Sequence, residues 1–174
     1  MANTKLSTCA FVEYGYGQVE PNHLSAQRTG QIYAQLPMAD TVSILENGQF
    51  AKYNYADGVV DFAGEGEWML VYNAVKIYED KETEADYAMK AVTGGTGPVI
   101  GVSTDVVPRL FKTNIGDIFT TNTINEETLT AGNVLYVGTD GYLAKAENGT
   151  MKWEVVKVYT MPDGQKAAKI MRIA

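Results

Sequence analysis

The hydrophobic and polar positions of the chain predict β-structure from about residue 41 onward. Val, Ile, Tyr, Phe and Trp recur there, and these residues suit a pleated, half-buried surface. The segments with this pattern in the first half are TVSIL (41–45), QFAKYNY (49–55), GVVDF (58–62) and EWMLVYNAVKIY (67–78). In the last third they are RLFKT (109–113), GDIFTTNTI (116–124), NVLYVG (133–138), GYLAKA (141–146), KWEVVKVYT (152–160) and QKAAKIMRI (165–173).

Turn residues separate these segments at short intervals. Asn-Gly or Asp-Gly pairs occur in ENG (46–48), ADG (56–58), TDG (139–141) and MPDGQ (161–165). Such pairs favour tight hairpin turns because both residues tolerate positive φ. The pattern predicts an all-β fold in which many short antiparallel strands form a small barrel or sandwich.

Residues 1–40 lack the pattern of the rest of the chain. They contain several Gly and Pro residues and few branched aliphatic residues, and only GQIYAQLP (30–37) alternates like a short strand. We predict an extended N-terminal arm over 1–40. Two interpretations stay open, a terminal segment folded over the core and an arm that reaches a neighbouring subunit.

The sequence GQFAK (48–52) is echoed by GYLAK (141–145), and a tryptophan follows each copy, at Trp68 and Trp153. After each turn, we expect Phe50 and Leu143 to point inward. Duplication of one hairpin or convergence on the same turn chemistry would each explain the echo, and both give it a structural role.

The middle of the chain is less clearly patterned. EDKETEAD (79–86) is acidic, and the residues up to Val92 fit a strand slightly better than a helix. TGGTGP (93–98) marks the best internal boundary. We therefore predict a first β-rich lobe at 41–97 and a second, barrel-like lobe at 98–174, with one continuous domain as the alternative.

Composition argues against several classes of function. The net charge is −7 and the basic residues are dispersed, so we expect no nucleic-acid partner. No apolar run is long enough to span a membrane, and no signal sequence is evident, so we expect synthesis in the cytoplasm. Cys9 is alone, which excludes an internal disulfide.

Candidate catalytic chemistry is sparse. His23 is the only histidine and lies in the leader, where a solvated loop residue is the expected role. GGTGPVIG (94–101) lacks the Lys-Ser/Thr ending and the helix of a phosphate loop. The acids Asp57, Asp61, Glu65 and Glu67 lack the spacing of a calcium loop. We expect no enzyme activity, no cofactor and no metal.

Eleven tyrosines are the most unusual feature of the composition. Core and edge packing would account for most of them. Tyr14, Tyr16 and Tyr33 in the leader have no evident core partner, and tyrosine suits both protein interfaces and sugar-binding platforms.

Two phrases, PRLFKTNIGDIFTTNTI (108–124) and ETLTAGNVLYVGTDGYLAK (127–145), resemble head decoration proteins of tailed bacteriophages. The Gly-, Gln- and Tyr-rich leader ahead of a β-rich body is a further point of likeness. The resemblance implies a structural virion protein, made in the host cytoplasm, that binds the outside of a capsid and stabilises the shell of major capsid protein. It also implies a homotrimer whose N-terminal segment touches the capsid, through Tyr14, Tyr16, Gln31 and Tyr33.

Other functions are compatible with the same pattern. Another phage structural part, such as a head fibre base or a tail protein, would use the same rigid scaffold. A carbohydrate-binding β module would use the tyrosine faces.

Overall fold

The computed structural model describes residues 5, 7–73, 107–145 and 148–174. The part of the chain before the gap at 74–106 forms β1 (Val19–His23), α1 (Ala26–Thr29), β2 (Ile32–Tyr33), β3 (Phe50–Asn54), β4 (Val59–Asp61) and β5 (Met69–Val71). The part after the gap forms β6 (Leu110–Phe111), β7 (Ile118–Thr121), β8 (Val134–Val137), β9 (Leu143–Ala144), β10 (Lys152–Thr160) and β11 (Lys166–Arg172).

These strands form two sheets. One has six strands in the order β1-β7-β11-β10-β8-β9, and the other has five in the order β2-β6-β5-β3-β4. All the strand pairs are antiparallel. The predicted all-β class, with many short antiparallel strands, is confirmed.

The two sheets share one hydrophobic core. Phe50 of the five-stranded sheet packs against Phe119 and Trp153 of the six-stranded sheet, with ring centroids 6.3 Å and 5.5 Å away. The rings of Phe119 and Trp153 lie 5.1 Å apart at 76°, an edge-to-face arrangement that aromatic pairs prefer. The two sheets therefore pack face to face, as in a sandwich.

The five-stranded sheet is buried on its other face as well. Ala51 and Tyr53 alternate with Phe50 and lie in a second cluster, beneath Met38, Val42 and Leu45. The prediction of a strand over TVSIL (41–45) is wrong, because this segment covers the sheet as turns and loop. Its apolar residues satisfy the burial requirement without joining a hydrogen-bonded ladder.

The predicted hairpin turns are present. ADG joins β3 to β4, and MPDGQ joins β10 to β11, with positive φ at Gly58 and Gly164. The polar connection 124–132, between β7 and β8, contains no helix. The short helix α1 in the leader was not predicted.

The two copies of the echoed sequence lie side by side. The backbone N–H of Phe50 donates to the carbonyl oxygen of Gly141 at 2.7 Å, and the Gln49 amide donates to that of Asp140, also at 2.7 Å. Phe50 and Leu143 both point into the shared core, as expected. The echo therefore helps to fasten one sheet to the other.

From residue 7 onward, the leader is folded against the body. Its strand β1 pairs with β7 in the six-stranded sheet, and β2 pairs with β6 in the five-stranded sheet. Cys9, Phe11 and Val12 are buried. Within the described residues, the segment 1–40 therefore corresponds to a terminal segment folded over the core rather than to a detached arm, because its apolar side chains find core partners.

The segments 79–92 and 93–101, including the predicted boundary, lie outside the described residues. The division into 41–97 and 98–174 therefore stays a prediction. β5, before the gap, pairs with β6, after it, so the five-stranded sheet unites both parts of the chain.

Gly141 is the position where we expect the sheet contact to tolerate least change. Its φ is +80°, and a Cβ there would lie 2.1 Å from the carbonyl oxygen of Phe50. Gly141→Ala should lower the free energy of unfolding by about 3 kcal/mol, from left-handed strain and overpacking together. Chemical denaturation measures this change.

Gly164→Ala is the matched control, because Gly164 also has positive φ (+90°) but no heavy atom within 4 Å of the added Cβ. It should cost only about 1 kcal/mol, the strain alone. Equal losses in the two variants would contradict the proposed close contact at Gly141.

Candidate functional site

The four residues predicted at a partner interface do not form one group. Tyr14 lies near the β10–β11 turn, where its hydroxyl donates to the carbonyl oxygen of Asp163 at 2.5 Å. Tyr16 is only 4% exposed, so its side chain is part of the core. The expectation that Tyr16 contacts a partner is therefore not supported by its position.

Gln31 and Tyr33 lie together on the other sheet. Tyr33 is in β2, at the edge of the five-stranded sheet, and Gln31 comes just before this strand. The carbonyl oxygen of Gln31 accepts from the backbone N–H of Lys112, and its side-chain oxygen accepts from Thr29 and Asn114. Both side chains are half-buried, so part of each is available to a partner.

Three tyrosines, Tyr33, Tyr53 and Tyr55, form a row of contacting rings that runs from β2 to the end of β3, here called the tyrosine row. Successive ring centroids are 6.0 Å and 5.6 Å apart, and both ring pairs are edge-to-face. The row opens into a hollow of about 140 Å³, which Lys112 and Glu67 also line. Tyr55 is 74% exposed, so the row ends in an aromatic ring in solvent.

A larger cleft adjoins the tyrosine row across Glu67. It has a volume of about 360 Å³ and is here called the Trp68 cleft, with Lys52, Gly66, Glu67, Trp68, Thr150, Met151 and Arg172 as its lining residues. The turn that leads into it packs tightly, since a Cβ at Gly64 would lie 2.5 Å from the carbonyl oxygen of Tyr53. This close approach fixes where Glu67 and Trp68 lie.

Charged groups in the Trp68 cleft are arranged around Glu67. One carboxylate oxygen lies 3.1 Å from Lys112 Nζ, and the other lies 3.1 Å from Arg172 Nη1. Arg172 is also held by the carbonyl oxygens of Thr113 and Ala174. Glu67 and Arg172 are therefore positioned before any ligand arrives.

A second polar group is buried between the leader and the two echoed sequences. Glu46 is fully buried, and its carboxylate accepts from the Ser7 hydroxyl at 2.7 Å, the Tyr142 hydroxyl at 2.5 Å and the backbone N–H of Gly17 at 2.5 Å. No cation forms an ion pair with it in the described part of the chain. Cys9, also buried, donates its backbone N–H to the Ser7 hydroxyl.

Burial controls the ionisation of this group. It raises the pKa of the Glu46 carboxyl, and the three hydrogen bonds only partly oppose the shift. Burial also raises the pKa of the Cys9 thiol and of the Tyr142 hydroxyl, and the nearby Glu46 charge adds to both shifts. A thiol with a raised pKa is a poor nucleophile, so Cys9 has a packing role here.

His23 and Asp61, two other candidates from the sequence, line neither the hollow of the tyrosine row nor the Trp68 cleft. His23 is exposed at the end of β1. The Asp61 carboxylate accepts from the Asn54 amide and from the backbone N–H groups of Ala63 and Gly64. Among the described residues, no three His, Cys, Asp or Glu side chains are grouped as metal ligands.

Sequence reasoning missed Glu46 because ENG (46–48) was interpreted only as a turn. The turn is present, with Gln49 N–H bonded to the Glu46 carbonyl at 3.2 Å, but the Glu46 side chain points inward. Its partners Ser7 and Tyr142 are distant in sequence, so no local spacing identifies them. The residues that line the Trp68 cleft are also distant in sequence, so no local spacing identifies that cleft either.

Comparison with protein-family models, curated proteins and solved structures gives no match. Within the described residues, no helix is long and apolar enough to cross a membrane.

The pKa shift of Glu46 predicts how stability depends on pH. The folded state holds the Glu46 proton more tightly than the unfolded state, so the contribution of Glu46 to stability is fully present at low pH. It should fall as the pH rises from the ordinary Glu value through the raised folded value. Glu46→Gln should remove this part of the pH dependence, measured by denaturant unfolding across a pH series.

The control is Glu127→Gln, since Glu127 is exposed. It should leave the pH dependence of unfolding as in the unaltered protein. If Glu46→Gln also leaves it unchanged, the buried carboxyl does not gain a proton preference on folding.

Proposed function

We propose that this protein is a non-catalytic virion component that attaches to the outside of a tailed-phage capsid and stabilises the shell of major capsid protein. The observation that carries the proposal furthest is the exposed end of the tyrosine row on a rigid sheet. Tyr55, 74% exposed, is an aromatic anchor of the kind that dominates protein interfaces. The resemblance of residues 108–145 to decoration proteins supplies the partner.

The proposed contact surface continues from the tyrosine row along the β2 edge. Lys112 N–H is bonded to the Gln31 carbonyl, and the Asn114 amide lies 3.4 Å from the Gln31 side-chain oxygen. Ile115, which follows Asn114, is 72% exposed. A surface with apolar ends and polar side chains between them has the mixed character of a non-obligate interface.

The scaffold suits such a role mechanically. Both faces of β3 are buried, and Tyr53 on this strand packs against the rings of Tyr33 and Tyr55. The exposed ring of Tyr55 therefore contacts a fixed neighbour, which reduces the side-chain entropy that it loses on docking. Three copies around a local three-fold axis would each contribute one modest contact, and the joint attachment would be strong through multivalency.

Point substitution tests this surface better than removal of the leader. Deleting residues 1–40 would remove β1, β2 and buried residues such as Phe11 and Leu24, and the body would lose stability. The double variant Tyr55→Ala/Ile115→Ala removes only exposed side chains. It should bind capsids that lack this protein at least about tenfold more weakly, as expected for loss of interface anchors.

Co-sedimentation with such capsids measures the affinity, and Val156→Ala is the control. Val156 is 45% exposed on β10, in the opposite sheet, and its removal should leave binding unchanged. Equal binding by the double variant and the unaltered protein would refute this contact surface. Absence of any capsid binding by the unaltered protein would refute the proposed function.

A further inference from the structure

We propose that the Trp68 cleft binds an acidic saccharide, with the Lys52 ammonium group receiving the carboxylate of the sugar. This inference is independent of capsid attachment, since it concerns the isolated protein. The volume of about 360 Å³ is within the range of small-molecule sites and would hold one or two sugar rings.

The Lys52 side chain lines the cleft and is the group proposed to bind the sugar carboxylate. This side chain is half-buried, and its Nζ lies 4.5 Å from the centroid of the Trp68 ring. No carboxylate lies within 4.0 Å of it in the described part of the chain. The acid opposite it on β4, Asp61, is engaged by its own turn.

The balance of charges around the cleft also favours a negatively charged ligand. Three basic side chains, those of Lys52, Lys112 and Arg172, lie in or beside the cleft. They face two carboxylates, those of Glu67 and of Asp61 opposite Lys52, which leaves one positive charge in excess. The whole protein has a net charge of −7, which makes this excess unusual for its surface. A ligand carboxylate would form a charge-assisted hydrogen bond with Lys52, stronger than a neutral one.

The other residues that line the cleft supply both an apolar surface and hydrogen-bonding groups. Trp68 packs against the shared core and lines the cleft beside the Lys52 ammonium, so the part of its ring that Lys52 leaves uncovered is an apolar surface in a fixed position. Thr150 can donate to or accept from a sugar hydroxyl, and Glu67 can accept from one. An apolar ring beside such groups matches a molecule with C–H faces and a hydroxyl rim, in contrast to a simple anion.

The experiment uses the full chain and two matched ligands, a tetrasaccharide of galacturonic acid and the neutral tetrasaccharide of galactose. Trp153 is fully buried, so a change in tryptophan fluorescence on binding reports Trp68. The acidic tetrasaccharide should change this fluorescence, and the neutral one should bind at least about tenfold more weakly, as expected for loss of a charged hydrogen bond.

Lys52→Met should weaken binding of the acidic tetrasaccharide at least about tenfold, whereas Lys52→Arg should retain most of the affinity of the unaltered protein. Lys157→Met is the matched control, because Lys157 also lies over an aromatic ring, at 5.8 Å from that of Tyr159, but outside the cleft. It should change the affinity less than twofold. If Lys52→Met does not fold by near-UV circular dichroism, Thr150→Val replaces it, with an expected loss of about fivefold.

Three results would overturn the proposal. One is failure of the acidic tetrasaccharide to bind, and another is equal binding of the acidic and neutral ligands. The third is displacement of the acidic tetrasaccharide by acetate at the same concentration of carboxylate, which would identify a simple anion site. Capsid co-sedimentation is a separate measurement, so the failure of either proposal is distinguishable from failure of the other.

Discussion

The contact of Phe50 with Phe119 and Trp153 is the interaction on which the rest of the structure depends. It joins the two sheets through three fully or almost fully buried rings with centroids 5.1–6.3 Å apart. Each such side chain buries a large apolar area, and the edge-to-face contact of Phe119 with Trp153 inside the six-stranded sheet adds to that gain. Because β3 carries Phe50 on one face and Tyr53 on the other, the same strand also anchors the outer layer of residues 38–45.

The backbone at Gly141 completes this junction. Phe50 N–H has its acceptor in Gly141, so a donor buried between the sheets is satisfied without a ladder partner. Gln49 does the same for the carbonyl oxygen of Asp140. The beginnings of the two echoed segments thus meet across the two sheets, and the close approach explains the glycine at 141. Glu46 lies beside this junction and is satisfied by hydroxyl and backbone donors instead of a cation.

The local pattern was sufficient for the strands of the described chain from residue 49 onward and insufficient for the leader strand β1, for 41–45 and for the sites. The apolar and aromatic residues of QFAKYNY, KWEVVKVYT and QKAAKIMRI predicted β3, β10 and β11, and Asp-Gly pairs predicted the turns before β4 and β11. TVSIL was misassigned because apolar side chains are needed equally by a strand and by a loop that covers a sheet. Glu46 depends on a partner 96 positions away, and the Trp68 cleft is lined by residues as far apart as Lys52 and Arg172. Their proximity follows only from sheet order.

Strand alternation also explains why the Trp68 cleft lies where it does. Lys52 follows Phe50 by two positions, so both side chains leave β3 on the same face. Phe50 faces the opposite sheet, whereas Lys52 lies past the shared core and meets the ring of Trp68. A lysine buried under a full sheet would need a paired acid, since an unpaired buried charge is costly. At the sheet margin Lys52 is only half-buried and lies next to a ring held by the core. The margin therefore combines a rigid apolar wall with an available cation, and that combination follows from where the two sheets stop overlapping.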